Sequence, residues 1–115
     1  MRKIVYSPIV KQKIKKLKVW LTEHFDQGVA EKVIVGILED AELLSRQPEI
    51  GTNIADAYKI DTQYWYLFSR QHYLVYRIEA RKIVIVQMFN EREDFMMKLF
   101  GISGRTQESI DYWGE

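Results

Sequence analysis

The chain has no cysteine, only two histidines and no apolar run long enough to cross a bilayer. Without thiols there is no disulfide framework and no thiolate metal site, and the composition fits a reducing compartment. Histidines at 24 and 72 are poor material for a zinc or iron centre, so neither a metal nor a cofactor is expected. A membrane helix needs about 20 consecutive apolar residues. The basic N-terminus does not read as a signal peptide either, because Ile4-Val5-Tyr6 is cut by Ser7-Pro8 and followed by lysines. Internal repeats and low-complexity tracts are also missing. These absences point to a cytoplasmic globular protein with no membrane partner.

What is present is ordinary in amount and uneven in placement. With 115 residues, 47% hydrophobic and 29% charged, the chain is expected to form one domain, residues 1–101, followed by a tail, 102–115, rich in Ser, Gly, Thr, Gln and Glu. The net charge of +1 conceals an asymmetry: the first 20 residues hold seven basic side chains and no acid, so the remaining 95 sum to −6. Lys11, Lys13, Lys15, Lys16 and Lys18 are therefore a candidate nucleic-acid-binding face. The alternative is a solvated face balanced by acids on the neighbouring helix.

The richest stretch runs from Tyr64 to Gly101. Three runs of aromatic and β-branched residues are separated by Arg70-Gln71 and by Ala80-Arg81-Lys82, the pattern of an antiparallel meander. In the second run Leu74, Tyr76 and Ile78 fall on one face, while Tyr73, Val75, Arg77 and Glu79 fall on the other. Ile83-Val84-Ile85-Val86 is apolar throughout and reads as an interior strand. It leads to Asn90-Glu91-Arg92-Glu93-Asp94, a polar cluster at the mouth of the sheet. Asp94 can cap a short helix from Phe95 to Phe100, stopped by Gly101.

The first half predicts a strand at 2–6 and a helix begun by Ser7-Pro8, with Val10, Ile14, Leu17, Leu21 and Phe25 as its buried stripe. Asp26-Gln27-Gly28 permits a second helix to about Arg46, burying Ala30, Val33 or Ile34, Ile37, Ala41 and Leu44. Gly36, inside it, suggests close approach of the first helix. Pro48-Glu49-Ile50-Gly51 turns the chain, and Tyr58-Lys59-Ile60 is expected to start the sheet. The order is β-α-α-β-β-β-β-α. The fold class is α+β, with the N-terminal strand and helical hairpin on one face of an antiparallel-rich sheet and the other face open. His72 reads as a surface histidine beside a turn.

That order, with Pro48-x-x-Gly51, the strand Tyr73-Leu74-Val75-Tyr76-Arg77-Ile78 and the strand end Met88-Phe89-Asn90-Glu91-Arg92-Glu93-Asp94, resembles the RelE/ParE superfamily of bacterial toxin–antitoxin toxins over residues 2–100. The resemblance implies a cognate antitoxin and one of two activities on one scaffold. RelE-like members cleave mRNA in the ribosomal A site; ParE-like members poison DNA gyrase without nuclease activity. Metal-free RNA cleavage needs a base at the ribose 2′-hydroxyl, cations over the phosphate and a proton for the leaving oxygen. On that reading Arg92, which aligns with a C-terminal arginine of RelE-like nucleases, and Arg77 are the first cations, Lys59 is a third, and Tyr73 stacks on a base. Asn90 stands where relatives often show histidine and cannot shuttle a proton; Glu91 and Glu93 are the carboxylates within reach. The ribosome-dependent endonuclease is the first expectation. A gyrase inhibitor and a degenerate antitoxin-binding module are the alternatives.

Overall fold

A computed structural model describes residues 1–101, so the expected tail at 102–115 lies outside the described residues. The first strand, β1 (Lys3–Tyr6), feeds directly into α1 (Pro8–His24). The Ser7 hydroxyl accepts the Val10 amide at 3.3 Å and donates to the Val86 carbonyl at 3.1 Å. One side chain thus caps the helix and pins its start to the sheet. The Asp26 carboxylate accepts the Val29 amide at 2.7 Å and opens α2 (Gln27–Leu43), which buries Ala30, Ile34, Ile37 and Ala41 on the stripe the spacing predicts.

After the Pro48–Gly51 turn come β2 (Thr52–Asn53), a short α3 (Ile54–Tyr58), β3 (Tyr64–Ser69), β4 (His72–Ile78), β5 (Lys82–Asn90) and α4 (Phe95–Phe100). The five strands form one sheet in the order β1-β5-β4-β3-β2; β1 runs parallel to β5 and the other pairs are antiparallel. β5 is therefore interior, which explains its unbroken apolar sequence. The expected strand at 58–60 is replaced by β2 and α3. Asn53 caps α3 by accepting the Asp56 amide at 3.2 Å, and Lys59 ends it in a left-handed conformation, φ 57°.

The core is double, and this corrects the expectation of one open sheet face. On the first face α1 and α2 supply Val10, Ile37, Ala41 and Leu44 against Leu74, Tyr76, Ile83, Ile85 and Met88. On the second face Val75 and Phe89 are covered by Ile54 of α3 and by Phe95 and Met96 of α4. Phe95 packs tilted by 34° against Tyr73 at 4.5 Å and meets Tyr66 at 5.2 Å. Val75 and Phe89 are too apolar to remain in water, and Ile54, Phe95 and Met96 supply the cover. Burial of Phe95 and Met96 alone stabilises the closed arrangement by roughly 4 kcal/mol, so the part of this face beneath α3 and α4 is not free for a partner without a large cost.

Three smaller expectations also change. Phe25 caps the end of α1 with non-helical dihedrals and is 63% exposed, outside the buried stripe. Gly36 faces the guanidinium of Arg70, which a Cβ would strike, rather than α1. His72 is buried, and its Nδ1 lies 2.8 Å from the Arg70 carbonyl; since a carbonyl only accepts, that nitrogen carries the proton.

Candidate functional site

The C-terminal half of α1, the start of α2, the β3–β4 turn and the end of β5 meet around a cavity of about 440 Å³ on the helical-hairpin side. Leu17, Trp20, Leu21, Phe25 and Val33 form its apolar wall; Arg70, Gln71, His72, Asn90, Glu91 and Arg92 form its polar rim. Trp20 is 49% exposed and stacks on His24, with ring centroids 4.2 Å apart and planes at 20°. Phe25 meets it edge-on at 6.1 Å. Leu21 continues the buried face of α1, so the aromatic wall is held by the helix that the core already fixes.

The rim depends on a two-residue hairpin turn. Arg70 and Gln71 both have positive φ, 49° and 67°, although neither is glycine. Tight hairpins demand this twist, and residues with a Cβ adopt it at a cost of about 1–2 kcal/mol each. Two contacts hold the turn: the Ser69 hydroxyl donates to the Asp40 carboxylate at 2.6 Å, and the Glu91 amide donates to the Gln71 carbonyl at 2.8 Å. The turn lays the Arg70 guanidinium over Gly36 of α2. Among the described residues neither Arg70 nor Arg92 has a carboxylate within salt-bridge distance. Exchanging Arg70-Gln71 for Asn-Gly is expected to raise stability by about 1 kcal/mol, net of the lost packing over Gly36, which urea melts would read.

At the end of β5 the polar cluster is largely occupied with its own turn. Asn90 accepts the Arg92 amide at 3.0 Å and donates its own amide to Glu93 at 2.7 Å. Lys98 binds the other Glu93 oxygen at 2.6 Å. Burial pushes the Glu93 carboxyl upward, but the bonds from Lys98 and the Asn90 amide outweigh it and hold the group below its ordinary 4.5. A depressed carboxylate contributes stability above its unfolded value and loses it as pH falls through its folded value. Glu93→Gln is therefore expected to cost at most about 1 kcal/mol at neutral pH, given the partly exposed pair. The difference from the parent should vanish in acid, which unfolding curves at pH 7 and below pH 4 would check.

Of the site candidates singled out in the sequence, Asn90, Glu91 and Arg92 line this cavity. Arg77 does not join them. It pairs with Val84 whereas His72 pairs with Asn90, placing Arg77 five residues along β4, roughly 17 Å away. It also belongs to the second face, beside Tyr64, where Glu79 binds it at 2.6 Å. Tyr73 is packed among Tyr66, Phe68 and Phe95. Lys59 is exposed at the end of α3. Lys11, Lys15, Lys16 and Lys18 are exposed on α1. Lys13 instead turns inward, donating to Gln87 Oε1 at 2.7 Å and the Met88 carbonyl at 2.8 Å, with its amine 4.6 Å from the Phe89 ring centre. Burial lowers its pKa, and it serves as a strut between α1 and β5. The sequence reading missed Trp20, Phe25, Arg70 and Gln71. The one available signal was a two-residue break between strands with no glycine in it.

Chemically, the cavity offers two planar guanidinium forks beside an apolar wall, suited to gripping a carboxylate or phosphate attached to an apolar body. The sequence profile described as ParE toxin of type II toxin-antitoxin system, parDE, matches residues 4–95. The chain belongs to the ParE toxin family. The match runs from the second residue of β1 to the first residue of α4 and so contains the whole cavity rim. Among solved structures the fold of this ParE-family chain is similar to a chain from "Chromosomal ParDE TA system from P. aeruginosa", with a TM-score of 0.65 over 78% of this chain and 96% of that one. The two are 11% identical, so the likeness concerns the fold. No curated protein matches the sequence. Family membership makes the chain the toxin of a type II module and implies an antitoxin as partner. Among the described residues no helix is long and apolar enough to cross a membrane.

Proposed function

We propose that this ParE-family toxin arrests growth in the cytoplasm by docking on DNA gyrase through the Trp20–Arg70–Arg92 cavity, and that it does not cleave mRNA. The observation that carries this reading is the separation of Arg92 from Arg77, on opposite faces and at opposite ends of β4. A nuclease site needs cations, base and acid within a few ångströms of one phosphate, and these two arginines cannot share one. Glu93 is bound to Lys98 and Asn90 cannot exchange a proton, and the rim groups that could, Glu91 and the Nε2 of His72, lie at the Arg92 end, away from Arg77. A binding toxin needs none of these groups to turn over. It needs a stable surface with unpaired charge and an apolar anchor point, which describes the cavity. The similarity to a structure from a ParDE system supports the same reading.

The test is induction in cells followed by two readouts, transcript ends mapped on translating ribosomes and DNA breaks that depend on gyrase. Gyrase-dependent breaks with intact transcripts are expected. Cleavage within the ribosomal A site without such breaks would restore the endonuclease.

A further inference from the structure

The opposite end of the sheet carries a second charged surface, outside the cavity. Lys3 of β1 and Lys82 of β5 are registered neighbours in the parallel pair and both are exposed. Registered side chains point to the same face, and neighbouring strands lie about 4.8 Å apart. Arg77 of β4, registered with Val84, projects from that same face one step along. Three cations therefore form a row across three adjacent strands, with Arg2 and Arg81 at the turn beside them. Arg2 Nε donates to the Glu79 carbonyl at 2.7 Å, and the Lys3 amide donates to the Arg81 carbonyl at 3.0 Å. Glu79 is the single carboxylate within 4 Å of any of these five cations among the described residues; it binds Arg77 at 2.6 Å and Lys82 at 3.9 Å. Adjacent like charges such as Lys3 and Lys82 destabilise a sheet. Such a pair persists at little penalty when an anion sits across it.

We propose that this row binds the phosphate backbone of a nucleic acid. An acidic protein is the weaker fit, because the one large exposed apolar side chain next to these cations in sequence, Met1, lies against Arg46 beyond α2, whereas backbone phosphates need only a line of cations. Tyr64, cross-strand from Arg77, borders the row with its ring and hydroxyl. The proposal does not depend on the gyrase reading, since the binding is to nucleic acid alone.

The test is fluorescence anisotropy of the purified chain with a labelled DNA duplex and, separately, an RNA hairpin, each of about 20 base pairs, titrated from about 50 to about 200 mM salt. Three phosphate contacts predict a slope of about −3 in log affinity against log salt. Lys3→Glu with Lys82→Glu is expected to weaken binding at least about tenfold. Lys11→Glu with Lys18→Glu, the same charge change on α1, should weaken it less than about threefold. Lys3→Gln with Lys82→Gln guards against a folding defect and should still weaken binding measurably. Binding of either probe supports the proposal, and the tighter one names the source. Equal losses in the α1 variant, affinity independent of salt, displacement by polyglutamate at equal charge, or no binding of either probe would overturn it.

Discussion

Gly51→Ala is expected to destabilise the chain by about 3 kcal/mol, the scale of a clash that a packed interior cannot relax. A Cβ at Gly51 would strike the Tyr66 carbonyl oxygen and stand 2.6 Å from the Tyr76 hydroxyl. Neither neighbour can retreat. The carbonyl belongs to β3, and Tyr76 is fully buried with its hydroxyl donating to the Pro48 carbonyl at 2.7 Å. Burial pushes that hydroxyl up to about 12, partly offset by the Gly51 backbone, so it stays a donor at any physiological pH. Tyr76→Phe should cost about 1–2 kcal/mol by leaving the Pro48 carbonyl unpaired. The double variant should cost less than the sum, because the phenylalanine removes one of the two collisions. Urea unfolding of the three variants, with unchanged m-values, would establish this.

Arg70→Glu with Arg92→Glu is expected to abolish growth arrest while leaving the fold intact. Both guanidiniums are exposed and free of carboxylates among the described residues, so reversal removes no internal pair. At a docked interface each charge-assisted contact is worth about 1.5–3 kcal/mol, and reversal adds repulsion. At least about 100-fold more toxin should be needed for the same inhibition. Toxicity against expression level, with circular dichroism of the purified variant, measures the effect; arrest at the parental level would remove these arginines from the interface.

The helical hairpin was legible because Ser7-Pro8 and Asp26 are capping chemistry and the buried stripes keep helical spacing. The meander was legible because its breaks are short and its runs β-branched. The covered second face was not, for a physical reason: alternation in Tyr73-Val75-Arg77 separates two faces without saying what lies over either. Five-residue α3 was hidden because Tyr58-Lys59-Ile60 has strand-like composition and the helix depends on the Asn53 cap. Arg92 and Asn90, expected as catalytic groups from the resemblance and from their place at the strand end, line the cavity rim. Arg70 was not, since nothing in Ser-Arg-Gln-His announces two left-handed residues, and Gly36 gains its meaning from a side chain 34 residues away. Lys13 looked like its four neighbours until the fold placed Gln87 and Met88 in its reach.

The most direct measurement is a supercoiling assay with purified gyrase, relaxed plasmid and purified toxin, with no ribosomes present. The parent is expected to block supercoiling and trap cleaved plasmid, and the Arg70→Glu, Arg92→Glu variant to do neither at the same concentration. Gyrase untouched by the parent, alongside mRNA cut on purified ribosomes, would contradict docking on gyrase.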